Sequence, residues 1–452
     1  MLARSALRQT TRQPWLQQRR TMAAPASGSF QYQTGEVAGV KFASRDLPGT
    51  IGTVAIVAQA GTRYETTPGL AEGLNKYAFK NTDRRTSLRI QRESELLGGS
   101  LVSYHSRENL VIGAKFFRDD LPYFAELLAE VATQTSYRTH VMHEEVIPLV
   151  AMDQQKFLAS TLDMAISSVH ALAFHRGLGN PVKPASSTPY GKYLTVEALE
   201  EYAQTAYSKS SFAIVGNGVE HAELSKWVGE FFGGDAKVST QPQLKGTQSK
   251  YYGGEERIAH SGGSTMAFAF PGSSSPTGGF YKPEAAVLAA LLGGESTIKW
   301  SPGFSLLSKA ASSAPNLRVA TKSNIYSDAG LLTISLDGSA SDIRSVAGKV
   351  VEALKSVAQG ISKEDFAKAK ALAKFKELEY GQEPRAALEL TGSGLVKENK
   401  PYQIDEVAKS VDSVTAEKVQ QLVKEAMEGR ASVSAVGDLY VLPFAEEIGL
   451  KV

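Results

Sequence analysis

Segments of the same kind recur about 220 residues apart along this chain, and that repetition limits the folds open to it. The apolar run Leu110-Val-Ile-Gly-Ala-Lys-Phe116 predicts a strand followed by a helix over 120–133, and Leu331-Leu-Thr-Ile-Ser-Leu336 predicts a strand followed by a helix over 341–357, shifted by 221. Thr195 and Thr415, 220 apart, each open an amphipathic segment as a natural N-cap, accepting from the unpaired amides of the first turn. Each segment runs into a β-rich stretch ending in Val-Gly, at Val215-Gly216 and Val436-Gly437, again 221 apart. The starts match with an offset near 212: Gly52 to Gly61 precedes a helix over 68–79, and Thr265 to Gly272 precedes one over 283–292. Three agreeing offsets on matching strand–helix patterns point to duplication of one unit.

Each copy reads as strands, long helices and strands again. The expected class is α+β, with two homologous domains, each a mixed or antiparallel sheet covered by helices on one face. The segment 233–254, rich in Gly, Gln, Ser, Thr and Lys, has a linker's composition and separates domains over 30–232 and 255–452. A chain of 452 residues exceeds one ordinary core, so the division also follows from size. No run of about 18 apolar residues encodes a transmembrane helix, so membrane contact is expected only through partners. The chain has no cysteine, which removes disulfides, thiolate zinc sites and cysteine nucleophiles.

The N-terminus is different material. Arg4, Arg8, Arg12, Arg19 and Arg20 alternate with Ser, Thr and Gln, and no acidic residue precedes Glu36. Leu2, Ala6, Leu7, Trp15 and Leu16 can share a helical face opposite the arginines. Such an amphipathic, acid-poor leader is the composition of a mitochondrial presequence, assigned to residues 1–22; a disordered basic tail is the alternative. Removing it leaves 44 basic against 47 acidic residues, a balance that argues against a nucleic-acid partner.

The run from Gly61 to Thr82 resembles the active-site helix of the pitrilysin-type zinc metallopeptidases and mitochondrial processing peptidases. Glu95 to Asn109, with its Ser106-Arg107-Glu108 signature, resembles the same family. With the duplication, the likeness covers essentially everything after the leader. Active members carry H-x-x-E-H there: two imidazoles one helical turn apart grip zinc, and the glutamate acts as general base on the bound water. The matching positions here are Glu72, Asn75 and Lys76. An amide has no useful proton affinity, and an ammonium has no lone pair and puts positive charge where a dication would sit. By ungapped count the distal glutamate ligand falls at Met152, with Asp153 beside it. The resemblance therefore implies a non-catalytic member with no metal and no cofactor. Glu72 and Lys76 are expected to form a helix-surface i,i+4 ion pair, and Thr66, Thr67 and Pro68 to cap the helix.

No replacement site emerges elsewhere. His140, His143 and Glu144 read as a solvated helix start, and His170 and His175 share no helical face. No G-x-x-x-x-G-K-[ST] loop and no G-x-S-x-G elbow is present, and Gly216-Asn-Gly218 reads as a turn. The segment Gly293 to Gly303, with Trp300 and Pro302, is shorter and poorer in glycine than the loop of the α-type processing-peptidase subunits. In this it looks more like the non-catalytic core subunits of mitochondrial ubiquinol–cytochrome c reductase (complex III). That resemblance implies a peripheral position on the matrix side of the inner membrane. Its implied partners are a homologous core protein 1, cytochrome b, cytochrome c1, the Rieske iron–sulfur protein and small subunits. The rival implication is a presequence-binding, non-catalytic subunit of the matrix processing peptidase.

Overall fold

The computed structural model describes residues 30–184, 190–233, 238–244, 246–294, 303 and 305–452. The leader at 1–22 and most of the Gly293–Gly303 segment, Trp300 and Pro302 included, lie outside the described residues.

Two sheets carry the fold. The first contains β1 (Gln33–Val37), β2 (Val40–Arg45), β3 (Ile51–Ala58), β4 (Ser100–His105), β5 (Leu110–Phe117) and β6 (Phe212–Asn217), in the order β1-β2-β6-β3-β5-β4. The second contains β7 (Gly254–Ala259), β8 (Ser264–Pro271), β9 (Arg318–Ile325), β10 (Gly330–Gly338) and β11 (Ser432–Gly437), in the order β7-β11-β8-β10-β9. Apart from β1, the two orders are the same. In each, the first strand runs parallel to the last (β2 with β6, β7 with β11) and the other pairings are antiparallel. The duplication seen in the sequence is thus a duplication of topology.

Side chains alternate across a strand, and here both faces are buried. On β3, Val54, Ile56 and Ala58 enter a core with Phe124 and Leu128 of the Leu121–Thr133 helix and with Leu224 and Val228 of the His221–Phe232 helix. On β8, Met266, Phe268 and Phe270 do the same with Ile343, Val346 and Val350 of the Ala340–Gln359 helix. The opposite faces are covered by an exchange. The Thr161–Phe174 helix of the first half lays Ala165, Val169 and Ala173 on Ala267 and Ala269 of the second sheet. The Pro384–Glu398 helix of the second half lays Leu388 and Leu395 on Ala55, Val57 and Ala213 of the first. Small residues on those faces allow close approach: a Cβ on Gly392 would stand 2.4 Å from Val57. Helices therefore lie on both faces of each sheet, where the sequence pattern places them on one.

Other local expectations divide. The Thr195 side chain accepts from Ala198 N at 3.3 Å, capping the Val196–Ala206 helix. Thr415 stands at the N-cap of the Ala416–Glu428 helix, but its side chain makes no capping bond. The described residues of 233–254, expected to be a linker, are strapped to both halves, since Arg63 donates to Thr247 O at 2.8 Å and Ser249 N donates to Asp328 at 3.0 Å. Among the described residues no single helix is long and apolar enough to cross a membrane.

Candidate functional site

The helix bearing the motif positions, Leu70–Tyr77, is short, and its entry is set by Glu65 rather than by Thr66, Thr67 and Pro68. Gly69 takes a left-handed φ of 92° as N-cap, with no side-chain cap of its own. The Glu65 carboxyl reaches back over it, accepting from Ala71 N at 2.7 Å and more weakly from Gly69 N at 3.4 Å. Burial pushes this carboxyl up to about 8; the two amides pull it down and Glu72 adds repulsion.

One turn inside, Glu72 is 1 % exposed, so it is not part of a helix-surface pair. Its Oε1 lies 3.5 Å from Lys76 Nζ, and its Oε2 lies 2.6 Å from the Nζ of Lys183, a loop residue. Lys183 also stands 3.3 Å from Asp153 Oδ2, which Lys76 approaches at 2.5 Å. Two carboxylates and two ammoniums thus close a compensated cluster, the arrangement a buried carboxylate requires. Burial alone would raise the Asp153 carboxyl, but the Lys76 hydrogen bond and both lysine charges hold it well below the usual carboxylate range. For Lys76, burial works against the charge and is outweighed by Asp153 and Glu72, so the ammonium is held above its ordinary value.

His105, on β4, completes the wall. Its Nε2 lies 3.0 Å from Val182 O and 3.3 Å from Glu72 Oε2. Burial depresses its pKa despite the pull of Glu72, so the ring is neutral at physiological pH and donates rather than pairs as an ion. Asn75 points its amide oxygen at Ser103, whose hydroxyl donates to it at 2.6 Å. The residue expected at the family's general-base position thus serves here as a hydrogen-bond acceptor.

Met152, on the Ile147–Ala159 helix, is 51 % exposed and takes no part in the cluster; the residue that does is its neighbour Asp153. Lys183 was not legible, because it sits in a loop beside Pro184 with no periodic pattern to mark it. His105 lies within the family-like run, but nothing in its spacing singled it out. His140, His143 and Glu144 are exposed, and among the described residues no group of three His, Asp or Glu side chains is placed to hold a metal ion.

The Ser106-Arg107-Glu108 signature acts elsewhere, as a clasp between the halves. Glu108 accepts from Arg63 at 2.8 Å and from Lys397 at 2.6 Å, and also from Ser327 N at 2.8 Å. Arg63 reaches across to Asp328 with two bonds of 2.7 and 2.6 Å, the paired geometry that favours arginine. Arg107 donates to the carbonyls of Leu178 and Asn180, and Ser106 and Asn109 both bond Glu389.

Known sequences agree with this picture. Residues 41–184 match the insulinase (peptidase family M16) domain, and 193–372 match the peptidase M16 inactive domain. The chain is 47% identical to the mitochondrial cytochrome b-c1 complex subunit 2 of Neurospora crassa, over 96% of this chain and 95% of that one. It is 34% identical to the subunit 2 of Schizosaccharomyces pombe, over 93% and 95% of the two chains. Against the Yarrowia lipolytica subunit 2 the identity is also 34%, over 94% and 98%. The chain therefore belongs to the M16 peptidase family, in the branch formed by subunit 2 of the mitochondrial cytochrome b-c1 complex.

Proposed function

We propose that this chain is a structural, non-catalytic subunit 2 of the mitochondrial cytochrome b-c1 complex, supporting the assembly and stability of a respiratory electron-transfer enzyme. The observation that carries the non-catalytic reading is the charge cluster. Where a zinc peptidase needs lone pairs at about 2.0–2.2 Å from a metal, Lys76 and Lys183 put ammonium groups against both carboxylates. The degenerate zinc-motif positions Glu72, Asn75 and Lys76 then serve to hold a helix in place. Partners in this reading are a homologous core protein 1, cytochrome b, cytochrome c1, the Rieske iron–sulfur protein and small subunits. The chain sits at the matrix side of the inner membrane and touches the membrane only through them. Its domain limits, in the same reading, are a presequence over 1–22, domains over 30–232 and 255–452, and the linker between them.

One observation favours the alternative, a subunit that binds basic presequences for a catalytic partner. A cavity of about 890 Å³ between the halves is lined by Glu377, Glu379, Glu383, Glu389 and Glu398. Its acidity is reduced, however. Burial raises the Glu377 and Glu389 carboxyls, and Lys322, Lys376 and Lys397 share the wall.

Native electrophoresis of mildly solubilised mitochondria, probed for this chain, separates the readings. Co-migration with cytochromes b and c1 is expected. A soluble heterodimer of about 100 kDa, two chains of ordinary two-domain size, transfers the assignment to the processing peptidase.

A further inference from the structure

At the seam where the Pro384–Glu398 helix covers the first sheet, a set of polar side chains is buried together. Tyr32, Arg45, Asn217, Thr391 and Tyr402 are exposed by 4, 2, 6, 0 and 1 %. Arg45 ends β2 and Asn217 ends β6, directly opposite in the parallel register. The Arg45 guanidinium stacks over the Tyr32 ring at 4.8 Å, and the Tyr32 hydroxyl donates to Asn217 Oδ1 at 2.6 Å. Thr391 stands beside that hydroxyl, and the Arg45 charge acts on Tyr402. Tyr32 is fixed there by a reciprocal pair of 3.1 Å bonds between its backbone and the Gln403 amide.

Four atoms of this set have no hydrogen-bond partner: Arg45 Nε, Asn217 Nδ2, Thr391 Oγ1 and Tyr402 OH. All four carry an N–H or O–H. Because Asn217 Oδ1 is used as acceptor by Tyr32, its amide nitrogen is left as a donor. Arg45 cannot shed its proton, and the adjacent Asp46 is paired with Arg118 instead. A buried cation with unsatisfied donors around it lacks one thing, a negative charge that accepts several hydrogen bonds. Water accepts about two and neutralises nothing.

We infer that Arg45, Asn217, Thr391 and Tyr402 bind a small inorganic anion, chloride or phosphate, sealed at the seam and joining the two halves. Arg45 and Asn217 come from the first half and Thr391 and Tyr402 from the second, so the ion bridges the exchanged helix to the sheet it covers. Four donors sealed from solvent suit a compact ion, not a side chain brought by another subunit.

The test uses the purified full chain, as wild type, Arg45→Met and Tyr402→Phe. Thermal midpoints are measured against sodium chloride and against sodium phosphate, with gluconate holding ionic strength constant. The wild type is expected to gain about 2–5 °C along a saturable curve. Tyr402→Phe, which keeps the ring, is expected to move half-saturation about tenfold upward, the worth of one charge-assisted hydrogen bond. Arg45→Met is expected to lose the anion response. Saturation by chloride alone assigns a halide, and saturation by phosphate alone an oxyanion. An anion response equal in all three proteins, or absent from the wild type, overturns the proposal. Should Arg45→Met not fold, Tyr402→Phe and a bromide-soaked crystal decide. An anomalous peak beside Arg45 Nε is expected, and ordered water alone in its place also overturns it.

Discussion

The Lys183 ammonium lies 2.6 Å from Glu72 Oε2 and 3.3 Å from Asp153 Oδ2, so a loop lysine ties the Leu70–Tyr77 helix to the Ile147–Ala159 helix. Lys183→Met removes one of the two ammoniums that reach both carboxylates, leaving Lys76 on both and the exposed Lys156 at 3.7 Å from Asp153. Breaking a buried pair costs about 3–5 kcal/mol. The Lys183 side chain is 29% exposed, so the expected loss is smaller, about 1–3 kcal/mol. Urea unfolding reads it, and Lys183→Arg is expected to recover most of it. A Lys183→Met protein as stable as wild type would remove this cluster from the forces holding the helix.

The same lysine bears on catalysis. Rebuilding the motif as Glu72→His, Asn75→Glu and Lys76→His supplies two imidazoles and a base, yet leaves Lys183 against Asp153. The triple variant is expected to bind no stoichiometric zinc and to cleave no presequence peptide. Metal analysis after dialysis and a fluorogenic peptide assay check the two halves of that statement. Cleavage above the wild-type background contradicts it.

Glu65 gives a pH signature of its own. Its carboxyl titrates near 8 in the folded chain against an ordinary value of 4.5, because burial favours the neutral acid. Between those two values the folded chain binds the proton that the unfolded chain has released. Stability from this group is full below about 4.5, falls as pH rises, and is lost above about 8. Glu65→Gln keeps an acceptor for Ala71 N and cannot ionise. It is expected to be nearly neutral at pH 5 and to stabilise by about 1–3 kcal/mol at pH 8.5. Denaturation midpoints at the two pH values test this, and a variant whose effect does not change with pH rejects the assignment.

What the sequence showed was what period and spacing can encode. Strands such as Leu110–Phe117 and Gly330–Gly338 lie where their apolar runs put them, and the 220-residue offset survives as a shared strand order. Glu72, Asn75 and Lys76 could be singled out together because they lie within five residues of one another. Lys183 was not, since what brings it to Glu72 is the path of a loop 111 residues away. The exchange of helices was hidden for a related reason. Ala165 and Val169 form an apolar stripe, but a stripe does not say which sheet it covers. The Ser106-Arg107-Glu108 run drew attention as a likeness to a peptidase, whereas its side chains bond the far half of the chain and the 178–180 loop.

That exchange yields a test in which helix propensity and packing oppose each other. Gly392 lies inside the Pro384–Glu398 helix, where alanine is favoured over glycine by about 1 kcal/mol. A Cβ there would stand 2.4, 2.6 and 2.8 Å from three atoms of Val57 on β3, distances at which the helix or the strand must move. Overpacking of this kind costs about 1–3 kcal/mol, so Gly392→Ala is expected to destabilise in spite of its propensity gain. Gly348, in the Ala340–Gln359 helix, is the control: a Cβ there meets nothing within 4 Å, and Gly348→Ala is expected to stabilise by about 0.5–1 kcal/mol. Pairing Gly392→Ala with Val57→Gly removes all three contacting atoms, the nearest being the Val57 Cβ that alanine would retain, so the double variant is expected to be more stable than the sum of its parts by about 1 kcal/mol or more. Additive single and double variants, read from denaturant midpoints, would mean that the exchanged helix does not press on β3 at this point.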